Sequence, residues 1–380
     1  MKIILISTSI SPYTGFGTMT YNHALHLYKK GIPFQIFLPK NSERVEVPFA
    51  DQVSYELPVL PFTFKGLKNL IKLPLLWLTQ KKFSEKVIIH SLVDFPYNLI
   101  GWRWAKKNKC PFIYSAIGTY SVAPFSKAPD KWLLAEPFKE ADRVISISNF
   151  TAQQVQRISG HKRSIEVVNL PVTEPAELSA PKDSLFNIPE SAKVILSVGP
   201  LKNRKGMDIL IKALPVVREK IPEAYLVIVG GGDKEEYYSL LDSERDRSRL
   251  LILPPVSSED LSQLFRRCNV FALTSRYINH NFEGYGLVYL EAGLYKKPVV
   301  AADSGGVSDA VHHQETGLLV PENNAEVTAD ALIQILSDDK LAQKLGEGNY
   351  RLAKERNWED YIDQVIKIYR SVAKDRGEHA

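Results

Sequence analysis

The stretch Asn281-Phe282-Glu283-Gly284-Tyr285-Gly286-Leu287-Val288-Tyr289-Leu290-Glu291-Ala292 sets two carboxylates on either side of a glycine-punctuated turn that opens a helix. Gly284 and Gly286 permit positive φ and close backbone approach. Amides at the start of the following helix can then face an anion, which the helix dipole also favours. Leu287, Leu290 and Leu294 recur at helical spacing, which puts Glu291 more than a turn inside the helix and leaves Glu283 before the turn. A carboxylate accepts two hydroxyl protons at once. Glu291 therefore suits a ribose diol, Glu283 suits hexose hydroxyls, and the amides between them suit a diphosphate. The spacing of two glutamates alone is weak, because a surface turn before an ordinary core helix gives it too; the glycines and neighbours strengthen it.

Working outward, Ser197-Val198-Gly199-Pro200-Leu201-Lys202-Asn203-Arg204-Lys205-Gly206 follows an apolar run and precedes a helix that begins near Met207. Cations at a helix N-terminus oppose its dipole. Arg204 and Lys205 so placed have a reason to be there if they neutralise a diphosphate. Gly15-Phe16-Gly17 ends a polar loop after the first apolar run and is expected to precede a helix carrying Leu25, Leu27 and Tyr28. A phosphate or sugar loop fits there, and so does a plain tight turn. Gly230-Gly231-Gly232-Asp233 fails the dinucleotide fingerprint because Glu235 stands at the third glycine position. A nicotinamide cofactor is not expected. Ser304-Gly305-Gly306-Val307-Ser308-Asp309 repeats the pattern of glycines between a strand and a helix.

The whole chain has the rhythm of βα units around parallel sheets. Apolar runs fall at Ile3 to Ile6, Phe34 to Leu38, Val87 to Ile89, Phe112 to Ser115 and Val144 to Ile147. The rhythm restarts at Val194 to Val198 and continues through Tyr225 to Val229, Leu250 to Leu253, Val270 to Leu273 and Val299 to Ala301. Between the halves, Asn169 to Pro189 holds Pro171, Pro175, Pro181 and Pro189 and reads as a linker. The expected domains are 1–175 and 185–356. Residues 357–380 form a terminal amphipathic helix with Trp358, Tyr361, Val365 and Tyr369 on one face.

At 380 residues the chain is longer than a typical single domain, and its 44% apolar and 24% charged content is ordinary for a globular protein. A net charge of +5 is compatible with polyphosphate ligands or an anionic membrane surface and too small to argue for nucleic acid. Cys110 and Cys268 stand far apart without metal-ligand spacing, so neither a disulfide framework nor a zinc site is expected. The opening Met1 to Ile6 is followed at once by Ser7, Thr8 and Ser9 and reads as a buried strand rather than a signal peptide. No run approaches the roughly 18 apolar residues of a spanning helix. A cytoplasmic protein is expected, with the basic and aromatic segment Phe62 to Phe83 open to two readings. It docks on anionic lipid, or it is a solvated face covering the first domain.

On these motifs the chain resembles the retaining glycosyltransferases of family four, the group 1 transferases, whose signature is Glu, seven residues, Glu. The resemblance covers nearly the whole chain and is densest in its C-terminal half. It implies the GT-B fold: α/β, two Rossmann-like domains facing across a deep cleft, with the C-terminal helix crossing back to the first domain. The first domain would bind the acceptor and the second the nucleotide sugar. By resemblance Glu283 contacts the transferred sugar, Glu291 the nucleotide ribose, and Gly286 and Leu287 the donor phosphates through their amides. Gly15, Gly17, Gly199, Gly284 and Tyr285 complete the donor site, and Arg204 and Lys205 match the family's cationic pair.

The implied reaction moves a hexose from a nucleoside-diphosphate sugar to a glycan or lipid-linked acceptor in surface polysaccharide or glycolipid assembly. The leaving phosphate takes the acceptor proton, so no enzymic nucleophile is needed. No Asp-x-Asp element is present, so neither a metal nor another cofactor is expected. The sequence departs from the family at Ala116-Ile117-Gly118-Thr119, where a histidine is common. Ile117 cannot do imidazole chemistry, which leaves a non-catalytic nucleotide-sugar-binding protein as one alternative, beside an epimerase or phosphorylase of the same fold. His90 reads as structural, and His23, His280, His312 and His313 show no convergent partners in the sequence.

Overall fold

Short β-branched runs that are apolar throughout rather than alternating belong in parallel strands covered on both faces, and two such sheets form. The computed structural model describes all residues except 12–14, 62–68, 70, 94, 127, 129, 175–184 and 378–380. Part of the linker reading and part of the basic segment therefore lie outside the described residues. The chain divides into two compact units, one comprising Met1–Asn169 with Trp358–Ala380 and the other Leu170–Asn357.

In the first unit, strands β1 (Lys2–Ile6), β2 (Phe34–Pro39), β3 (Val53–Leu57), β4 (Val87–Ser91), β5 (Phe112–Ala116), β6 (Arg143–Ser146) and β7 (Ile165–Val167) pair in the order β3-β2-β1-β4-β5-β6-β7. Every pairing is parallel. The centre of the sheet is dry, with Ile4, Leu5, Ile6, Ile88, Ile89 and Ile113 fully buried. The helix Trp358–Asp375 belongs to this unit and buries Trp358, Tyr361, Ile362, Val365, Ile366, Tyr369, Val372 and Ala373. That is the spacing of one continuous helix face. Its polar edge is tied down by Lys30, which meets Glu359 at 2.5 Å and Asp363 at 2.8 Å, and by Arg376, which forks onto Asp142.

The second unit holds β8 (Lys193–Val198), β9 (Ala224–Val229), β10 (Leu250–Leu253), β11 (Val270–Leu273), β12 (Val299–Ala302) and β13 (Gly317–Val320), again all parallel, in the order β10-β9-β8-β11-β12-β13. Both sheets thus reverse direction beside their first strand, at β1/β4 and at β8/β11. Open α/β sheets bind ligands outside the carboxyl ends of the strands at such a reversal. The α/β class read from the sequence holds. Three strands escaped it, Val53–Leu57, Ile165–Val167 and Gly317–Val320, and each is a sheet edge. Val53–Leu57 and Ile165–Val167 are half-exposed and lack the apolar run that marks an inner strand, while Gly317–Val320 is mostly buried and its apolar run, Leu318 to Val320, is short. Among the described residues no helix is long and apolar enough to cross a membrane.

Candidate active site

The loops that leave β8 and β11 meet at the reversal point of the second sheet. From β8 the chain runs through Gly199 to a 3₁₀ turn, Asn203–Lys205, and then into the helix Met207–Lys220. Gly206 joins turn to helix at φ +69°, and a Cβ there would lie 1.8 Å from the Thr274 carbonyl oxygen. Only glycine lets the two loops approach this closely. They are then laced together. The Thr274 hydroxyl donates to the Gly206 carbonyl at 2.6 Å, the Arg276 amide donates to the Arg204 carbonyl at 2.8 Å, and the Arg276 guanidinium pairs with Asp208.

This lacing brings Arg204, Lys205 and Glu283 together. Lys205 Nζ lies 2.5 Å from Glu283 Oε2, Arg204 Nη1 reaches the same oxygen at 3.4 Å, and the Ser275 hydroxyl donates to it at 3.2 Å. The pair is nearly dry, with the side chains of Lys205 and Glu283 exposed by 10% and 13%. Burial pushes the Glu283 carboxyl up, but the charges of Lys205 and Arg204, with the hydrogen bonds from Lys205 and Ser275, outweigh it and hold the group below the usual carboxylate range. The Gly306 amide donates to the Glu283 carbonyl at 2.8 Å. The Ser304-Gly305-Gly306 loop therefore fixes the backbone from which this carboxylate projects.

Beyond Glu283, Gly286 turns the chain at φ +89° into the helix Leu287–Leu294. A Cβ at Gly286 would lie 2.4 Å from the Tyr289 ring, whose hydroxyl donates to the Leu273 carbonyl at 3.1 Å. The helix is also held from outside by Asn349, whose amide donates to the carbonyls of Tyr289 and Lys297, both at 3.0 Å. Glu291 rides on this clamped helix, half-buried, and its carboxylate makes no hydrogen bond or ion pair among the described residues. Burial raises its carboxyl above the ordinary range, with the charge of Lys205 acting in the opposite direction. Lys205 thus bonds one glutamate and acts through space on the other.

The remaining expected site residues fall as follows. The stem of Lys205 lies on Gly199, where a Cβ would stand 3.5 Å from Lys205 Cε. Gly284 is half-buried in the turn. Tyr285 turns its side chain inward, 1% exposed, and burial pushes its hydroxyl up to about 12, so only its backbone can meet a ligand. Leu287 is the first residue of the helix. Gly15 and Gly17 belong to the first unit and do not precede the helix Gly15–Lys29 as expected; they form its first turn. The Gly230-Gly231-Gly232 turn packs on the Gly199 loop, with the Leu201 amide donating to the Gly231 carbonyl at 2.8 Å.

Sequence reasoning missed Thr274, Ser275 and Arg276. Their signal was a polar triplet placed immediately after the buried run Val270 to Leu273. It also left the histidines without partners, and the structure corrects this. His23 Nε2 and His90 Nδ1 both meet the Tyr369 hydroxyl, at 3.1 and 2.7 Å, and His90 Nε2 meets Ser115 at 2.8 Å. His280 Nδ1 meets the Tyr277 hydroxyl at 3.1 Å, His312 lies 3.8 Å from Glu315, and His313 accepts from the Leu319 amide at 3.0 Å. These contacts join residues from separate elements or turn on local backbone geometry, which spacing does not reveal. Ile117 is half-buried and its amide donates to Ser121 at 2.8 Å. No cluster of three or more metal-ligating side chains occurs among the described residues.

Residues 182–352 match the family described as glycosyl transferases group 1, and residues 13–173 match glycosyltransferase family 4. A D-inositol 3-phosphate glycosyltransferase of Mycobacteroides abscessus is 31% identical over 422 aligned positions, covering 99% of this chain and 90% of that protein. Among solved structures, a sucrose-phosphate synthase from Thermosynechococcus elongatus superposes with a TM-score of 0.75 at 22% identity, covering 99% of this chain and all of the other. The Anabaena protein HepE, in complex with UDP-glucose, does so with a TM-score of 0.69 at 20% identity, covering 98% of this chain and 100% of that one. At these identities the two structures show the shared fold.

Proposed function

Because the chain belongs to the group 1 glycosyltransferases, we propose that it moves a hexose from a nucleoside-diphosphate sugar to a glycan or lipid-linked acceptor, with retention at the anomeric carbon. The observation that carries this reading is the shared Glu283 oxygen. Two cations and a hydroxyl converge on it at the mouth of the second sheet, and Glu291 stands in the helix that follows.

A donor diphosphate entering this cluster competes with Glu283 for Lys205 and Arg204. Charge-assisted bonds to phosphate, each contributing about 1.5–3 kcal/mol, replace the internal pair. Glu283 is then released to accept from the hexose hydroxyls, and Glu291 accepts from the ribose diol. The amides of Gly286 and Leu287 face the phosphates at the positive end of the helix. As the bond between the anomeric carbon and the phosphate oxygen breaks, that oxygen takes the proton of the acceptor hydroxyl, and the acceptor oxygen bonds the carbon on the same face. The protein's own work is positioning and stabilising charge on the leaving diphosphate. HepE, solved with UDP-glucose, and the inositol phosphate transferase support a nucleotide-sugar donor and a hydroxyl acceptor in general terms.

The acceptor belongs to surface polysaccharide or glycolipid assembly in this reading, and the first unit, with Gly15 and Gly17, would serve acceptor and donor approach. Ile71 and Leu78, exposed by 70% and 76%, stand among Lys72 and the exposed Lys82, which supports docking on an anionic membrane face. Flotation with anionic and neutral liposomes tests that docking, and equal absence from both kinds of vesicle removes it.

The central test is a thermal-shift panel of nucleoside diphosphates and their sugars, followed by assay of diphosphate release and sugar transfer. A bound donor raises apparent stability by mass action. The expected result is stabilisation by one nucleotide series and turnover of its hexose derivative. Failure of every donor to stabilise the protein or to be turned over overturns the proposal.

A further inference from the structure

Between Ser275 and Glu283, both parts of the ion-paired cluster, the chain makes a tight excursion. Ile278 and Asn281 exchange two backbone hydrogen bonds, each 2.8 Å, around a two-residue loop of Asn279 and His280. Both loop residues are left-handed, at φ +47° and +66°. Two-residue hairpin turns of this kind favour Asn followed by Gly, because the second position also needs positive φ. Here histidine occupies the glycine position and carries the conformational cost that glycine avoids.

The hairpin is held rigidly. The Tyr277 amide donates to both carboxylate oxygens of Glu322 at 3.2 Å, and the Tyr277 ring stacks on the buried Phe282 ring at 5.9 Å with 6° between planes. The Asn281 side-chain Nδ2 donates to the carbonyls of Ile278 and Asn279, both at 3.2 Å. One limb is fixed to the Arg204 carbonyl through the Arg276 amide, and the other runs directly into Glu283. At the tip, Tyr277 engages His280 Nδ1, while His280 Nε2 makes no hydrogen bond among the described residues. The imidazole is half-buried. With one ring nitrogen engaged, the other is a fixed donor or a fixed acceptor according to tautomer. A sugar hydroxyl can answer either.

We propose that the hairpin Tyr277–Asn281 reads the transferred sugar: the His280 imidazole, oriented by the Tyr277 hydroxyl, hydrogen-bonds a hydroxyl of the donor hexose beside Glu283 and so decides which hexose is accepted. This rests on the glycosyltransferase reading of the same site. Tyr277 is a positioning residue and His280 the group that meets the sugar.

The test uses the full chain and the variants His280→Gly and Tyr277→Phe. Each is assayed for kcat/KM with UDP-glucose, UDP-galactose, UDP-N-acetylglucosamine and GDP-mannose, together with Tm and the affinity for the nucleoside diphosphate alone. His280→Gly removes the imidazole and relieves the turn, so Tm should hold or rise. The ratio of kcat/KM between preferred and second donor should fall about tenfold, the loss of one well-placed hydrogen bond, with diphosphate affinity unchanged. Tyr277→Phe should shift the same ratio in the same direction by less. If the wild type uses these donors and His280→Gly keeps the ratio within about twofold, the inference is overturned and the transferase reading stands. If no nucleoside-diphosphate hexose stabilises the wild type or is turned over by it, both fall.

Discussion

Acidification should loosen the first unit through two imidazoles that carry no charge in the fold. His23 is fully buried, and burial, with the nearby His26, lowers its pKa from 6.5 to about 3; burial and His23 push His90 well below its ordinary value. Both rings meet the hydroxyl of Tyr369, one of the buried residues of the helix Trp358–Asp375. Neutral imidazole is thus favoured by folding. The unfolded chain takes up protons below about pH 6.5 and the folded chain does not, so stability is full above that pH and falls as pH drops toward 3. From the His23 values alone, moving from pH 7.5 to pH 5.0 costs about 2 kcal/mol, since each pKa unit is worth about 1.4 kcal/mol. His90 adds in the same direction.

The assay is hydrogen exchange read by mass spectrometry on peptides from the Trp358–Asp375 helix, referred to intrinsic rates at each pH. It reports opening of that element specifically. His161 is also buried and lowered, so whole-protein melting does not isolate this pair. His23→Leu removes one titrating group. Its opening free energy should change between the two pH values by about 2 kcal/mol less than the wild type's, whatever its absolute stability. An identical acid sensitivity in wild type and variant would refute the reasoning.

Lys205→Ala should slow turnover by about 10²–10³, the usual loss on removing one group that stabilises developing charge, measured as steady-state diphosphate release; a rate close to wild type removes Lys205 from that role. Glu291→Gln should weaken nucleotide binding about 10- to 100-fold by calorimetry, the loss of charge-assisted bonds to the ribose. Because burial raises the Glu291 carboxyl, wild-type binding should weaken on acidification already above the usual carboxylate range, and the variant should lack that limb. Gly206→Ala forces a Cβ to 1.8 Å from the Thr274 carbonyl at φ +69° and should lower stability by at least about 3 kcal/mol, read from the thermal midpoint of the second unit. Turnover should persist in excess chelator, and a strict requirement for a divalent ion contradicts the metal-free scheme.

Much of this molecule lies within short reach along the chain. The buried inner strands are continuous apolar runs, and the turn from Glu283 through Gly286 into Leu287 is set by neighbours a few residues apart, so both are legible in the letters. So are the residue types of the site, two glutamates and a cationic couplet after a strand. The half-exposed edges Val53–Leu57 and Ile165–Val167 were not, because such a strand is defined by its partner more than by its own composition, and the edge Gly317–Val320 was not, because its apolar run is short. Only the tertiary structure decided that Lys205 bonds Glu283 across 78 positions, that Ser275 shares the same oxygen, and that His23 and His90 close on Tyr369. Those contacts follow from strand order. The placing of β11 beside β8 brings distant loops to one edge, and no local periodicity encodes that adjacency.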